Sequence, residues 1–419
     1  MKDKLLTLTL CVSRIIFGLT FVFSGFVKAV DPMGSAYKFM DYFRAFDLNA
    51  LNTLAVPLAL LLSAIEFTIG VAIVLGLTRK PATRLGFLFM LIFTPLTLYL
   101  AIANPVKDCG CFGEALILSN WQTFAKNVLL FAMSLFMLRR WSSMRPLFSH
   151  RFKYIPSLFA FFYAAGISVI ALYDMPILDF RPFKTGTNIV EAMQSDTSND
   201  IHVLVYKQNG KKKEFTLDNY PADDSTWTFV ETKTIRPEGA KDATITDFFI
   251  TDTNGEDFTN EILTDPRPTF LLISPDWDVS DDSFIDKINS LHDYAVDMDY
   301  AFYAVSSQDT EKEFEWMEDT GAEYPFLYSD ATILETIIRP LPGIVFLIDG
   351  HIVWKKHPRN LPTHEVIEKQ IAEFNQKKIE KSNPNKIILY AFLVFFVPIL
   401  LLLCFDKLMK ENKSQQGKI

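Results

Sequence analysis

Cysteine is scarce, at 4 residues among 419, too few for a disulfide scaffold in a chain of this length. Histidine numbers 6, and no Ser-His-Asp set, phosphate loop or dinucleotide fingerprint can be read along the chain. Charged residues make up only 21%, with a net charge of −8. No Lys/Arg cluster is interleaved with aromatics, which argues against nucleic acid as a partner. Internal repeats and low-complexity tracts are missing. What abounds is apolar: 49% hydrophobic residues, including 38 Phe. That content excludes a disordered or fibrous chain, and its clumping into long runs is unlike a soluble enzyme. The pattern is that of a multi-domain membrane protein with one sizeable water-soluble part, so the lipid bilayer is its first partner.

A bilayer core of about 30 Å takes roughly 20 helical residues to cross. Six runs qualify, at residues 5–30, 54–77, 85–103, 123–138, 155–173 and 387–405. The first lacks a small-residue cleavage site and outruns a signal-peptide core, so it is expected to stay as a helix. Basic residues flank alternate ends: Lys2 and Lys4, then Arg79, Lys80 and Arg84, then Arg139 to Lys153, then Lys407 to Lys413. The positive-inside rule puts those segments and both termini in the cytoplasm. The loops 31–53 and 104–122 and the whole segment 174–386 then face outward. The expected organisation is a four-helix membrane domain at 1–142, a fifth helix with its flanks at 143–178 and a small β-rich module at 179–240. An α/β domain at 241–380, a sixth helix at 386–406 and a cytoplasmic tail at 407–419 follow, the tail disordered from residue 411.

Ionisable groups at membrane depth are costly, so each needs a reason. Arg14 in the first helix and Glu66 in the second are expected at similar depths, where they would form a desolvated ion pair. Such a pair either pins the two helices together or positions a bound quinone or redox partner; no other cofactor is called for. Arg14, Gly18, Phe21, Gly25 and Lys28 share one helical face, and small residues there let a neighbouring helix approach closely. The string "RIIFGLTFVFSGFVKAV", followed by Glu66, Gly70, Gly76 and Arg79, resembles the DoxX/MauE group over residues 1–142. These are four-helix membrane proteins associated with redox chemistry, and the resemblance implies a bacterial cytoplasmic (inner) membrane.

Between the third and fourth spans stands "PVKDCGCFGEALILSN". Cys109 and Cys111, one residue apart, form a small tight ring if joined, and Gly110 relieves the backbone there. A strained disulfide suits an exchange site better than a staple. Lys107 would stabilise a thiolate and Asp108 oppose it, so local charge does not decide reactivity. Thiol–disulfide exchange, a static local disulfide and metal binding all stay open. Zinc is disfavoured, since Cys11 and Cys404 lie in helices and no His is near in sequence. The "DCGCFG" string is similar to the MauE branch, which implies a link to methylamine use and to disulfide formation in partner proteins.

Residues 201–217 carry two alternating runs around an Asn-Gly turn, a β-hairpin signal, within a module expected to end near 236–239. A second Asn-Gly hairpin is expected over 245–263, then a buried strand "PTFLLIS" and a helix from about 280 to 296. A strand at 299–307, helices near 310 and 332–338, and two strands joined by Gly350 complete the order. With Leu341-Pro342 before a strand, this resembles an extracytoplasmic thioredoxin-like α/β domain over 243–378. In that family a Trp-Cys-x-x-Cys element opens the first main helix; here Trp277 is followed by Asp278 and Asp281 at the cysteine places. Without a thiol pair the domain cannot carry dithiol exchange, while Pro342 matches the family's cis-proline beside a peptide-binding groove. Asp276, Asp278, Asp281 and Asp282 are expected as caps of the following helix. His351, His357 and His364 are expected to face solvent, and no metal site is assigned.

Two functions compete. In the first, Cys109 and Cys111 form a redox pair exchanging with an extracytoplasmic protein partner or client, which the thiol-less outer domain recruits. In the second, the chain is a non-catalytic assembly or binding subunit of a larger membrane complex. Whether the protein is an enzyme, as a thiol–disulfide oxidoreductase, turns on that choice.

Overall fold

The computed structural model describes residues 2–106, 108–195, 201–208, 211–216, 219–221, 226–235, 243–307, 309–376 and 384–416. The chain divides into two compact units. Met1–Arg181, Lys356–Leu361 and Glu380–Ile419 make one, and Pro182–Lys355 with Pro362–Ile379 the other.

The first unit opens with α1 (Lys2–Val30) and α2 (Pro32–Ala45). The latter was expected as loop. Asp31 accepts from the Gly34 amide at 3.1 Å and Pro32 stands in the first turn, an N-terminal pairing that starts a helix without needing a long apolar run. Its Phe39, Met40 and Phe43 pack on Ala55 and Ala59. After a 3₁₀ stretch at Asn49–Leu54 come α3 (Ala55–Leu75), α4 (Arg79–Ala103), α5 (Asn120–Arg139) and α6 (Ile155–Tyr173). Gly76 ends α3 in the left-handed conformation at φ 63°, and a Ser119/Gln122 capping box starts α5, extending it beyond the short run read from hydropathy.

In the second unit, α7 (Ile189–Met193) precedes a three-stranded antiparallel sheet of β1 (Ile201–Gln208), β2 (Lys211–Thr216) and β3 (Thr228–Ile235), in the order β2-β1-β3. The β1–β2 pairing runs up to Gln208 opposite Lys211, as the Asn-Gly spacing required; the turn residues themselves, and the module end at 236–239, lie outside the described residues. The second expected hairpin does not form strands. Thr251 bridges Asp257 and also Tyr328, and Asp252 closes the loop by accepting from the Asn254 and Glu256 amides.

There follow α8 (Thr259–Thr264), β4 (Thr269–Ile273), α9 (Ile285–Asp297), β5 (Ala301–Ser306), α10 (Thr310–Thr320), β6 (Phe326–Tyr328), α11 (Ala331–Ile337), β7 (Gly343–Ile348), β8 (His351–Lys356) and α12 (His364–Asn375). The five strands form one sheet, ordered β6-β5-β4-β7-β8. β4, β5 and β6 are parallel and β7 runs antiparallel to β4. Every residue of β4 and β7 is buried, which explains their unbroken apolar runs.

The chain returns to the first unit in α13 (Pro384–Gln416), so the expected disordered tail is helical through Gln416. Polar side chains can extend an existing helix at little cost, which a hydropathy reading does not register. Among the described residues, six helices are long and apolar enough to cross a membrane: α1, α3 with its preceding 3₁₀ stretch, α4, α5, α6 and α13. Phe17, Phe21, Phe67, Met90, Met137 and Phe395 belong to their shared core. The α1–α3 crossing is set by glycine. A Cβ on Gly25 would lie 2.4 Å from the Phe67 nitrogen, and one on Gly70 2.6 Å from the Val22 nitrogen, so backbone touches backbone.

Candidate functional site

That crossing fixes which polar groups meet. With Gly25 against Phe67, and Gly18 against Gly70 and Val74, Arg14 falls at the end of α3. Its guanidinium donates to the carbonyls of Ile73, Val74 and Arg145 at 2.6–3.1 Å, serving the orphan acceptors of a helix terminus. Glu66 lies deeper and pairs with Lys28, Nζ to Oε2 at 2.6 Å, both side chains buried. The expected Arg14–Glu66 pair therefore does not form, and the seat for a quinone or redox partner read from it has no geometry behind it. The depth estimate failed because it counted from hydropathy edges, whereas the glycine contacts set the register. Lys28 stood on the same predicted face of α1 and was the overlooked partner.

Lys28 and Glu66 line a cavity of about 70 Å³ that also receives Cys109 and Cys111. The loop carrying the cysteines is held on several sides. Ser24 Oγ donates to the Cys111 carbonyl at 2.5 Å and the Tyr42 hydroxyl to that of Cys109 at 2.9 Å. Asp108 accepts from the Gly110 amide at 2.8 Å and from Lys38 Nζ at 2.9 Å, so its charge is answered by Lys38 rather than turned on the sulfurs. Gly110 sits at φ 65°, a conformation side chains disfavour. The result is two free thiols with their sulfurs 3.1 Å apart.

The two thiols are unequal. Cys111 is lowered to about 6, chiefly by the hydrogen bond from Cys109 and then by Lys126 and Lys28, against the opposing effect of burial. Cys109, whose proton is held in that bond, is pushed well up, with burial adding to the effect. Burial, with Cys109 beside it, also raises Tyr42, which stays a donor. The cations that favour the Cys111 thiolate thus come from α1 and α5, far in sequence; Lys107, the near one, lies outside the described residues. Ser24, Lys38, Tyr42 and Lys126 carried no sequence signal, and Lys38 and Tyr42 lie on α2, the segment expected as loop. Cys11 and Cys404 lie on the outside of their helices.

In the second unit, Trp277 is buried and packs against Trp316, the rings tilted with centroids 4.8 Å apart. Lys312 Nζ holds Asp276 at 2.9 Å and Asp278 at 2.7 Å. The Asp281 amide donates to the Leu341 carbonyl at 2.8 Å, and Leu341–Pro342 is cis. None of the four aspartates caps α9, contrary to expectation. Asp276 caps a single 3₁₀ turn at Trp277–Val279, and α9 starts only at Ile285, after Phe284. The histidines are engaged locally rather than simply solvated: His351 with Asn188 at 3.2 Å, His357 capping Arg359, His364 stacked on Tyr294. Among the described residues no group of three or more His, Cys, Asp or Glu is placed to hold a metal ion.

The six long apolar helices define a multi-pass helical membrane protein. Residues 6–140 match the family described as methylamine utilisation protein MauE. That match covers α1 to α5 and contains the whole dithiol cavity. Residues 201–236, the three-stranded sheet, match a domain of unknown function, DUF8463. No curated protein and no solved structure matches this chain.

Proposed function

We propose that Cys109 and Cys111 form a thiol–disulfide exchange centre on the outer side of a bacterial cytoplasmic membrane. One observation carries the reading: two sulfurs 3.1 Å apart, on a loop tied at both carbonyls, with one thiol lowered and the other raised. A low thiol gives a nucleophile and good leaving group at neutral pH, and its high neighbour keeps a proton to give. When the pair is oxidised, a partner thiolate attacks one sulfur and forms a mixed disulfide. The partner's second thiol displaces it, so the partner gains a disulfide and two electrons pass to Cys109 and Cys111.

The outward reading of the loop 104–122 and the segment 174–386 rests on the alternation of six spans and on the basic residues at their other ends. The second unit is read as a thioredoxin-like domain without its thiols. Its support is the order β6-β5-β4-β7-β8, the cis Pro342 leading into β7, and the Asp281–Leu341 bond beside it. Lys312 pairs with Asp276 and Asp278 beside the degenerate site, which favours a surface for an extended client over redox chemistry.

The test is trapping. Cys109→Ser or Cys111→Ser protein should accumulate mixed disulfides on a non-reducing gel, and these should vanish in the double variant. If both cysteines stay permanently oxidised and the single variants behave as wild type, the chain is an assembly subunit instead.

A further inference from the structure

A pair that hands its disulfide to a partner must be reoxidised, and the space beside the sulfurs limits what can do it. The cavity that Cys109 and Cys111 line measures about 70 Å³. That is under half of the roughly 150 Å³ of an apolar cavity that takes benzene, while one enclosed water needs roughly 10–15 Å³. Ring oxidants are therefore too large, and a molecule of two heavy atoms fits. Cys111 is partly exposed whereas Cys109 is buried, so Cys111 is the sulfur that a small solute arriving from water meets first.

The walls narrow the choice further. Phe89 and Phe93 form an apolar part, and Lys28, Tyr42, Glu66 and Lys126 bring polar groups to the same space as the sulfurs. Lys28 and Glu66, both more than nine-tenths buried, are joined at 2.6 Å, and ionised groups at membrane depth mark a path for protons or substrate. Ammonium groups beside a reacting sulfur favour its thiolate and can give a proton to a departing oxygen. Cys111, lowered to about 6, is largely thiolate at neutral pH, and a second sulfur stands 3.1 Å away. An accessible thiolate with a resolving thiol beside it is the arrangement that peroxide oxidation uses. Dioxygen would also fit the space, but it takes electrons from thiols singly and gains nothing from a resolving sulfur.

We propose that hydrogen peroxide enters this cavity and oxidises the Cys109–Cys111 pair, with Cys111 as the attacking sulfur and Cys109 as the resolving one. The inference rests on the exchange reading above and names the oxidant that reloads the same pair. The Cys111 thiolate attacks one peroxide oxygen, the O–O bond breaks, and Cys111 becomes a sulfenic acid. The hydroxide released takes a proton from the ammonium groups of the cavity and leaves as water. The Cys109 sulfur then attacks the Cys111 sulfur; the S–S bond forms, and the sulfenic oxygen departs with the Cys109 proton as a second water. The proton that Cys111 lost on ionising restores the ammonium. Two thiols and one peroxide thus give one disulfide and two waters, with two electrons passing from sulfur to oxygen.

The test uses the full chain in lipid nanodiscs, reduced and freed of oxygen and trace metal. One equivalent of hydrogen peroxide should remove two thiols and join Cys109 to Cys111, read by peptide mass spectrometry. At neutral pH the folded chain should react at least tenfold faster than the same chain unfolded in dodecyl sulfate. Cys109→Ser should stop at a sulfenic acid that dimedone traps at Cys111, and Cys111→Ser should react no faster than the unfolded chain. Cumene hydroperoxide, whose ring exceeds the space, should react at least tenfold more slowly than hydrogen peroxide, a gap that unfolding should abolish. A folded rate equal to the unfolded one, no preference for the smaller peroxide, or a dimedone adduct at Cys109 in the Cys111→Ser chain would each overturn the proposal. So would equally fast oxidation by air-saturated buffer containing catalase and a chelator, which would assign the oxidant to dioxygen. Exchange between the oxidised chain and a reduced peptide dithiol, run without peroxide, reports separately on the exchange reading.

Discussion

Lys28 and Glu66 meet at 2.6 Å across the α1–α3 crossing, buried, in the cavity that also holds Cys111. Two charges are thus kept from water and satisfied by each other within the apolar bundle. Removing one should cost far more than removing both. Glu66→Gln is expected to destabilise the bundle by about 3–5 kcal/mol, read by thermal unfolding in detergent. The double variant Lys28→Met with Glu66→Leu should recover most of that loss; an equal or larger loss would show that the pair is not the stabilising unit.

The helix crossing makes an independent demand. Gly25→Ala drives a methyl to within 2.4 Å of the Phe67 backbone nitrogen, a group that cannot turn aside. A cost of about 1–3 kcal/mol is expected from overpacking. Gly166→Ala, in α6, meets nothing within 4 Å and should be neutral or slightly stabilising on the same unfolding curve, since alanine is the better helix former.

The unequal thiols fix a pH profile. Cys111 is lowered to about 6 and Cys109 is raised, so as pH rises the pair loses its first proton from the Cys111 side. Alkylation at Cys111, followed by peptide mass spectrometry, should rise through about pH 6 and level off by neutrality, while Cys109 stays unreactive until Cys111 is blocked. An ordinary thiol profile, still climbing at about pH 8.5, would contradict the assignment. With Lys126→Met the midpoint should move upward, because a cation favouring the thiolate is gone.

Much of this molecule was legible in its amino-acid order. The six spans, the order of the α/β strands and the Cys-Gly-Cys loop followed from run length, alternation and the turn-forming glycine. The losses share a cause. Hydropathy locates a helix in the membrane only to within a turn or two, so it matched Arg14 to Glu66 when close glycine contacts bring Lys28 there instead. The short helix α2 was read as loop because its apolar residues do not form a spanning run, although Asp31-Pro32 announced it. The groups that tune the cysteines, Lys126 and Tyr42, come from segments that only the folded bundle brings near. No local pattern could name them.

Two hydroxyls hold the Cys-Gly-Cys loop. Ser24 and Tyr42 donate to the carbonyls of Cys111 and Cys109 at 2.5 and 2.9 Å. Each of Ser24→Ala and Tyr42→Phe removes one bond worth about 1 kcal/mol. The double variant should free the loop enough to raise the alkylation rate of Cys109 several-fold, with global stability little changed. Unaltered rates would mean that packing alone holds the cysteines.

The most direct measurement is a thiol count on the purified full-length protein. Oxidised chain is mixed with an excess of a reduced peptide dithiol, quenched with acid and alkylated. A catalytic pair transfers its disulfide, so two thiols should appear per chain, at Cys109 and Cys111, matched by one new disulfide in the peptide. A chain in which both cysteines remain resistant to the peptide, while the denatured protein reduces readily, would contradict the assignment of exchange chemistry to this loop.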